Sequence, residues 1–332
     1  MSSLLVTGAG GYIGSVLTRM LLEHGDSVTA VDRFFFGRQT LPPDDGRLRV
    51  IEGDIRTLQQ AELRGIDAVI DLAALSNDPA GELESEKTWA INHAGRVRIA
   101  TLAKQAGVPR YILPSSCSVY GFQEGLLDER SPVNPLTTYA KANRQAEGDT
   151  LALADAGFCV VVLRQATVYG LSPRMRFDLA INGMVRGLFK QGKIPLLRDG
   201  TQWRPFVHVR DTARAMMLML EARPERVNAQ IFNVGSDDQN CQIMPLAKTV
   251  AEAMGIRFDY EWYGLPDHRS YRVSFQKVRE AVGFHPACSP SDGAREVYEA
   301  LRSGAVDPDD PRTITVGWYK HLIETSRPRV LL

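Results

Sequence analysis

Hydrophobic and polar positions alternate in two distinct ways along the first half of the chain. Short apolar runs, rich in β-branched residues, predict strands at 3–7, 27–32, 48–52, 68–72, 111–115 and 159–164. Amphipathic stretches between them, such as 12–24 and 92–106, have the length and period of helices. Apolar runs separated by such helices are typical of βαβ units. The pattern predicts an α/β fold, a Rossmann-like doubly wound parallel sheet.

The pattern becomes less regular after Gly170. Helices are predicted at 177–189, 212–221 and 244–254, and strands at 203–209 and 231–235. This second half predicts a smaller mixed α/β lobe that lies over the carboxyl edge of the sheet and binds substrate. We expect residues 1–170 to form the sheet domain, with 204–235 returning to it. Residues 171–203 and 236–332 would then form the substrate-binding lobe.

Composition and charge narrow the function. Lys+Arg and Asp+Glu both number 39 in 332 residues, so no global field favours nucleic acid or a membrane surface. The four cysteines show no metal-ligand spacing, so we expect no metal site. We expect the cysteines to be free thiols in a reducing compartment. With no signal peptide and no apolar run near ~20 residues, the sequence predicts a cytoplasmic protein.

A glycine-rich turn carries the first chemistry. Gly8, Gly11 and Gly14 follow the first strand and open the first helix. Such a turn lets the backbone approach a pyrophosphate at the helix N-terminus, which indicates a dinucleotide site. Asp32, at the end of the second strand, can bind the ribose hydroxyls and favours NAD over NADP. Arg33 beside it either accepts a 2′-phosphate or is a solvated loop residue.

These motifs resemble the extended short-chain dehydrogenase/reductase family, in its NAD-dependent nucleotide-sugar epimerase/dehydratase branch. The resemblance spans nearly the whole chain and rests on segments 7–14, 53–55, 71–74, 115–121, 164–170 and 204–211, with Asp32, Asn92 and Tyr139. It implies bound NAD, a nucleotide-diphosphate sugar as substrate, and no nucleic-acid or membrane partner. It also implies a homodimer through helices near 92–106 and 139–154.

The resemblance implies site residues as well. Ser116, Tyr139 and Asn143 occupy the catalytic positions. The implied cofactor contacts are Gly8, Gly11, Tyr12, Ile13, Gly14, Asp32, Arg33, Asp54, Ile55, Leu72, Ala73, Ala74, Asn92, Ser115, Tyr139 and Asn143. The implied substrate contacts are Ser116, Ser118, Thr167, Arg174, Arg176, Asn182, Arg204 and Arg269. Asp54 is equally suited to cap a helix.

Two departures from the family pattern bear on the reaction. Cys117 and Ser118 stand where related 4,6-dehydratases carry an acidic pair, so the sequence disfavours 4,6-dehydration. Asn143 stands four residues after Tyr139, where the family carries a lysine. Lys141, two residues after Tyr139, points to the opposite helix face and cannot replace it. A unit charge ~4 Å away, at a dielectric of ~20, is worth about 4 kcal/mol or roughly three pKa units.

Three functions therefore stay open at the level of sequence. The first is an NAD-dependent nucleotide-sugar epimerase/oxidoreductase that uses transient hydride transfer to tightly bound NAD. The second is a nucleotide-sugar 4-ketoreductase in which Tyr139 only donates a proton, a role that suffers less from a missing lysine. The third is a non-catalytic NAD or nucleotide-sugar binding protein, suggested by Asn143.

Overall fold

The computed structural model describes residues 1–265, 267 and 269–325. Its strands are β1 (Ser3–Thr7), β2 (Ser27–Asp32), β3 (Leu48–Glu52), β4 (Ala68–Asp71), β5 (Arg110–Ser116), β6 (Phe122–Leu127), β7 (Cys159–Gln165), β8 (Thr167–Tyr169), β9 (Ile194–Leu197), β10 (Trp203–His208), β11 (Gln230–Val234), β12 (Asn240–Gln242), β13 (Tyr260–Tyr263) and β14 (Ser270–Val273). Seven of them form a parallel sheet in the order β11-β7-β5-β4-β1-β2-β3. The predicted doubly wound fold is confirmed.

Helices cover both faces of this sheet. They are α1 (Tyr12–His24), α2 (Asp78–Gly81), α3 (Ser85–Trp89), α4 (Arg96–Gln105), α5 (Thr138–Leu151), α6 (Ala180–Gln191), α7 (Val209–Glu221), α8 (Pro224–Val227), α9 (Ile243–Ala253), α10 (Gln276–Val282), α11 (Pro290–Arg302) and α12 (Thr315–Thr325). The predicted helix at 92–106 differs in its start, because a π-helical segment, Ala90–Gly95, joins α3 to α4. None of the described helices is long and apolar enough to cross a membrane.

The strand order explains where a ligand site can form. The chain winds outward in opposite directions from β1 and β4, which are neighbours in the sheet. Loops that follow two such strands diverge and leave a crevice at their carboxyl ends. The glycine turn follows β1, and residues 72–74 follow β4. The sheet order therefore places both predicted cofactor segments at one edge.

The second half of the chain covers that edge with small sheets. β10 pairs with β8 in parallel and with β12 in antiparallel, β9 pairs with β13, and β6 pairs with β14. Within 204–235, β11 joins the central sheet beside β7, whereas β10 belongs to a small sheet. The division into a cofactor domain and a substrate lobe remains a prediction, and residues 266, 268 and 326–332 of that lobe lie outside the described residues.

Candidate active site

A cleft of about 860 Å³ runs along the carboxyl edge of the central sheet. It is lined at one end by the glycine turn and Asp32, and at the other by Tyr139, Arg204 and Arg269. A volume of this size is in the range of sites that enclose small molecules and cofactors. The cleft is thus long enough to bring the predicted cofactor and substrate residues to one site.

The glycine turn is shaped by close backbone contacts. Gly8 has φ +64°, and a Cβ there would lie 2.7 Å from the Leu72 carbonyl carbon. A Cβ on Gly14 would lie 2.1 Å from the Gly8 oxygen, so only glycine fits at this position in the first turn of α1. Gly11 is the N-cap of α1, and no side chain caps its first turn. The helix therefore presents uncapped amides beside the cleft, as a pyrophosphate site requires.

Acidic residues at the ends of β2 and β3 lie beside the turn. The Asp32 carboxylate accepts hydrogen bonds from Gly10 N at 2.9 Å and Phe34 N at 2.7 Å. Burial raises the Asp32 pKa, and these two amides oppose the rise. Arg33 donates to Asp54 at 2.8 Å, so its guanidinium is drawn towards the β3 loop. Asp32 and Arg33 both line the cleft, and the Arg33 guanidinium is bound by Asp54.

The C-terminal helix α12 closes the cofactor end, which the sequence did not predict. The Trp318 indole donates to the Phe35 oxygen at 2.7 Å, and Tyr319 packs against Phe36 with ring centroids 5.6 Å apart. Val316 and Tyr319 line the cleft. No local signal indicated this contact, because Trp318 and Phe35 are 283 residues apart in sequence.

Arg174 belongs to the same end of the cleft. Its guanidinium lies 3.6 Å from the centroid of the Phe36 ring and donates to Thr315 Oγ1 at 3.0 Å. Burial and the nearby Arg176 lower the Arg174 pKa to about 10, and its charge in turn lowers the pKa of Asp32. Its Nε and Nη1 atoms have no hydrogen-bond partner among the described residues. This position favours the cofactor over the substrate as its ligand.

Ser116 and Tyr139 meet at the middle of the cleft. Tyr139 lies in the first turn of α5, whose N-cap Thr137 accepts a hydrogen bond from Ala140 N at 3.1 Å. Ser116 ends β5, and its side chain interacts with the Tyr139 phenol. Burial raises the Tyr139 pKa, while the charge of Arg96 and the contact with Ser116 oppose the rise. The predicted serine–tyrosine pair is thus assembled at one point.

Asn143 was predicted to contact the cofactor and to take part in catalysis, but its side chain does not reach the cleft surface. Its side chain is 1% exposed; Nδ2 donates to the Tyr139 carbonyl oxygen at 2.9 Å, and Oδ1 accepts from Arg96 Nη1 at 2.7 Å. Lys141 is exposed, as its helix face predicts. Arg96 lines the cleft and was missed, although it lies four residues after Asn92 on the same helix face.

The substrate end holds a chain of alternating charges. Asp267 accepts hydrogen bonds from Arg204 at 2.7 Å and from Arg269 at 2.8 Å, and Arg269 also pairs with Asp78. All four residues line the cleft. The two guanidinium groups and two carboxylates balance in charge, so a phosphate ligand would compete with Asp78 and Asp267 for the arginine N–H donors. Asp78 and Asp267 were not predicted as site residues.

Several predicted residues serve the scaffold. Asn182 is fully buried and bonds Gly170 N at 2.9 Å and Arg176 O at 2.9 Å, which corrects its predicted substrate contact. Asn92 bonds both the N–H and the carbonyl of Leu75, at 2.8 and 3.0 Å, and braces the loop after β4 without lining the cleft. Their polar atoms are occupied, so neither side chain is available to a ligand.

Ser115 lines the cleft, but its hydroxyl points to a buried network. Ser115 donates to Glu147 Oε1 at 2.6 Å, and Arg164 donates to both Glu147 oxygens at 3.0 and 2.8 Å. The Tyr120 hydroxyl accepts from Arg164 at 3.0 Å. This network joins α5 to β5 and β7, and so fixes the helix that carries Tyr139 against the strand that carries Ser116.

The remaining predicted residues line the cleft. They are Tyr12, Ile13, Asp54, Ile55, Leu72, Ala73, Ala74, Ser118, Thr167 and Arg176. Ser118 Oγ and Gln165 Nε2 are buried there without a hydrogen-bond partner among the described residues. Buried polar groups of this kind need a partner, which a polar ligand can supply. Cys117 is buried behind them, and burial raises the pKa of its thiol.

Comparison with known proteins agrees with this site. The model of the NAD dependent epimerase/dehydratase family matches residues 4–235. The chain therefore belongs to this family, whose members are enzymes. The predicted family, enzyme class and NAD cofactor are confirmed at that level.

Individual relatives show the spread of reactions. A dTDP-glucose 4,6-dehydratase of Streptomyces griseus is 30% identical over 309 residues, 87% of this chain and 91% of the relative. A UDP-glucose 4-epimerase of Corynebacterium glutamicum is 29% identical over 251 residues, 71% and 75% of the two chains. The structure of MoeE5 in complex with UDP-glucuronic acid and NAD is 31% identical with a TM-score of 0.81, covering 91% of this chain and 99% of MoeE5.

Proposed function

We propose that the protein is an NAD-dependent nucleotide-sugar epimerase/oxidoreductase. The observation that carries the proposal is the meeting of Ser116 and Tyr139 between an uncapped helix N-terminus and the two arginines bound to Asp267, Arg204 and Arg269. The first end suits the pyrophosphate of NAD and the second suits the diphosphate of a nucleotide sugar. Solved relatives such as MoeE5 bind both kinds of ligand.

The proposed residue roles follow from position. Gly8, Gly11 and Gly14 admit the cofactor pyrophosphate, Arg174 pairs with it, and Asp32 binds its ribose. NAD, when bound, would supply the acceptor and donor of the hydride. Tyr139 takes the proton of the reacting sugar hydroxyl and returns it, and Ser116 hydrogen-bonds that oxygen.

One observation favours a second candidate function. Burial raises the Tyr139 pKa, so the phenol carries its proton at neutral pH before a ligand binds. A protonated tyrosine suits a nucleotide-sugar 4-ketoreductase, in which it only donates. The two functions differ in cofactor use: the reductase consumes NADH in proportion to product, whereas the epimerase does not.

We also propose a cytoplasmic homodimer. The four cysteines are free, which fits a reducing compartment.

Beside α4 and α5, Trp89 is 38% exposed and stacks edge-on against His93, which in turn pairs with Asp149 of α5 at 2.6 Å. An exposed tryptophan on this face suits a subunit interface. Light scattering of the protein and of Trp89→Glu tests it, with a monomeric wild-type protein as the contradicting result.

The proposed chemistry is tested by Tyr139→Phe. The variant keeps the ring and removes the hydroxyl, so turnover of the accepted nucleotide sugar should fall by at least ~100-fold, in the range of general acid–base contributions. NAD content, measured after denaturation, should stay at the wild-type level. Unchanged turnover would exclude the role of Tyr139, and an absence of turnover in the wild-type protein would favour a binding module.

A further inference from the structure

Arg96 places a positive charge inside the site. It is the first residue of α4 and is 3% exposed. Its Nε donates to the Ala73 carbonyl oxygen at 3.0 Å, and Nη1 donates to Asn143 Oδ1 at 2.7 Å. Both acceptors are neutral, so neither of these hydrogen bonds cancels the guanidinium charge. The cation therefore acts on its surroundings in a poorly screened environment.

We propose that Arg96 is a positioning residue that supplies, through Asn143, the positive charge that a lysine at position 143 would carry beside Tyr139. The proposal rests on the proposed function, because it concerns the same tyrosine. Asn143 fixes the position of the guanidinium beside α5, since its Oδ1 accepts from Arg96 and its Nδ2 donates to the main-chain carbonyl oxygen of Tyr139, one turn earlier in the helix. Asparagine accepts this donor, whereas an ammonium group has no acceptor to offer it.

Charge balance also favours asparagine at position 143 beside Arg96. Arg96 and a lysine at 143 would put two buried cations in contact, which is strongly unfavourable. Two arrangements provide a single charge. In one, α4 carries a cation and α5 an amide; in the other, α4 carries a neutral residue and α5 a lysine. The chain has the first arrangement, and the second can be built by exchange.

Other groups also act on Tyr139. Burial raises its pKa most, Asp78 of α2 raises it further, and Arg96, Ser116 of β5 and Arg176 lower it. Arg96 is the largest of the opposing influences. Arg96 also acts on Asp71 of β4, whose pKa burial raises and Arg96 lowers. Loss of the Arg96 charge must therefore raise the Tyr139 pKa and reduce the phenolate fraction at any given pH.

The test titrates Tyr139 directly in NAD-loaded protein. The ultraviolet difference spectrum of tyrosinate is recorded against pH, and the Tyr139→Phe titration is subtracted. Arg96→Gln should raise the Tyr139 pKa by about one pH unit or more. The exchanged pair, Arg96→Thr with Asn143→Lys, should return it to within about half a unit of wild type. Circular dichroism and NAD content serve as controls for the fold.

Each outcome decides the proposal. If Arg96→Gln folds and its Tyr139 pKa equals that of the wild-type protein, the proposal is overturned. If Arg96→Gln does not fold, the exchanged pair decides: a titration restored to wild type supports the charge assignment, and a pKa that stays raised overturns it. The readout is independent of turnover. An expected shift without turnover of any nucleotide sugar would refute the proposed function alone, and normal turnover with an unmoved titration would refute this proposal alone.

Discussion

Arg96 Nη1 and Asn143 Oδ1 form a 2.7 Å hydrogen bond between α4 and α5, across 47 positions of sequence. The bond joins a buried guanidinium to the helix that carries Tyr139. The proposed charge substitution rests on this bond, because it places the guanidinium against the residue that stands at the predicted lysine position.

Asn143→Lys alone is therefore predicted to destabilise the protein. The new ammonium group would meet Arg96 without an acceptor, and a buried charge without a partner costs about 3–5 kcal/mol. The melting temperature, measured by calorimetry, should fall clearly below that of wild type. Lys141→Ala, on the exposed face of the same helix, is the matched control and should leave it unchanged. A stable Asn143→Lys variant would contradict the account of this pair.

Arg174→Met is predicted to weaken NAD binding more than substrate binding. The guanidinium has two nitrogens without a partner among the described residues, and a hydrogen bond to a charged group is worth about 1.5–3 kcal/mol. The dissociation constant for NAD, measured by calorimetric titration, should rise about 10- to 100-fold. Arg302→Met, on the exposed end of α11, is the control. A larger effect on the nucleotide sugar than on NAD would return Arg174 to the substrate end.

Asp54→Asn is predicted to weaken discrimination against NADP. Arg33 donates to Asp54 at 2.8 Å, and loss of the Asp54 charge weakens this ion pair and so lowers the cost of moving the Arg33 guanidinium onto a 2′-phosphate. The ratio of NADP to NAD affinity should rise several-fold, roughly the value of a surface ion pair. Arg56→Met keeps the Arg33–Asp54 pair and should leave the ratio unchanged. An equal effect of both variants would show that Arg33 has no part in cofactor choice.

Glu147→Gln is predicted to lower the free energy of unfolding by about 3–5 kcal/mol, because buried Arg164 loses its charged partner. Glu147 is 0% exposed and also accepts the Ser115 hydroxyl, so the change loosens α5 against β5. Urea unfolding measures the loss. Glu299→Gln removes the exposed partner of Arg302 and should cost less than about 1 kcal/mol. Similar small losses in both variants would refute the importance of the network.

The sequence predicted what depends on short-range pattern. The strands of the central sheet and α1 were predicted from the periodicity of apolar residues. The glycine turn was predicted from the spacing of three glycines within seven residues. Contacts between distant segments could not be predicted this way. Arg96 meeting Asn143, Arg174 stacking on Phe36 and α12 closing over the loop after β2 are set by tertiary packing. Asn182 was predicted to contact the substrate, but its side chain bonds the backbone of Gly170 and Arg176 and the Tyr12 hydroxyl.

The central claim is that Tyr139 serves reversible oxidation of a nucleotide sugar by bound NAD. The most direct measurement incubates the purified NAD-loaded protein with a panel of nucleotide-diphosphate sugars in deuterated water and follows products by NMR. The account predicts an epimer that carries no solvent deuterium on carbon, with no net NADH, because the hydride returns to the sugar. Solvent deuterium on a ring or methyl carbon would indicate elimination chemistry instead, and no product from any sugar would contradict the claim.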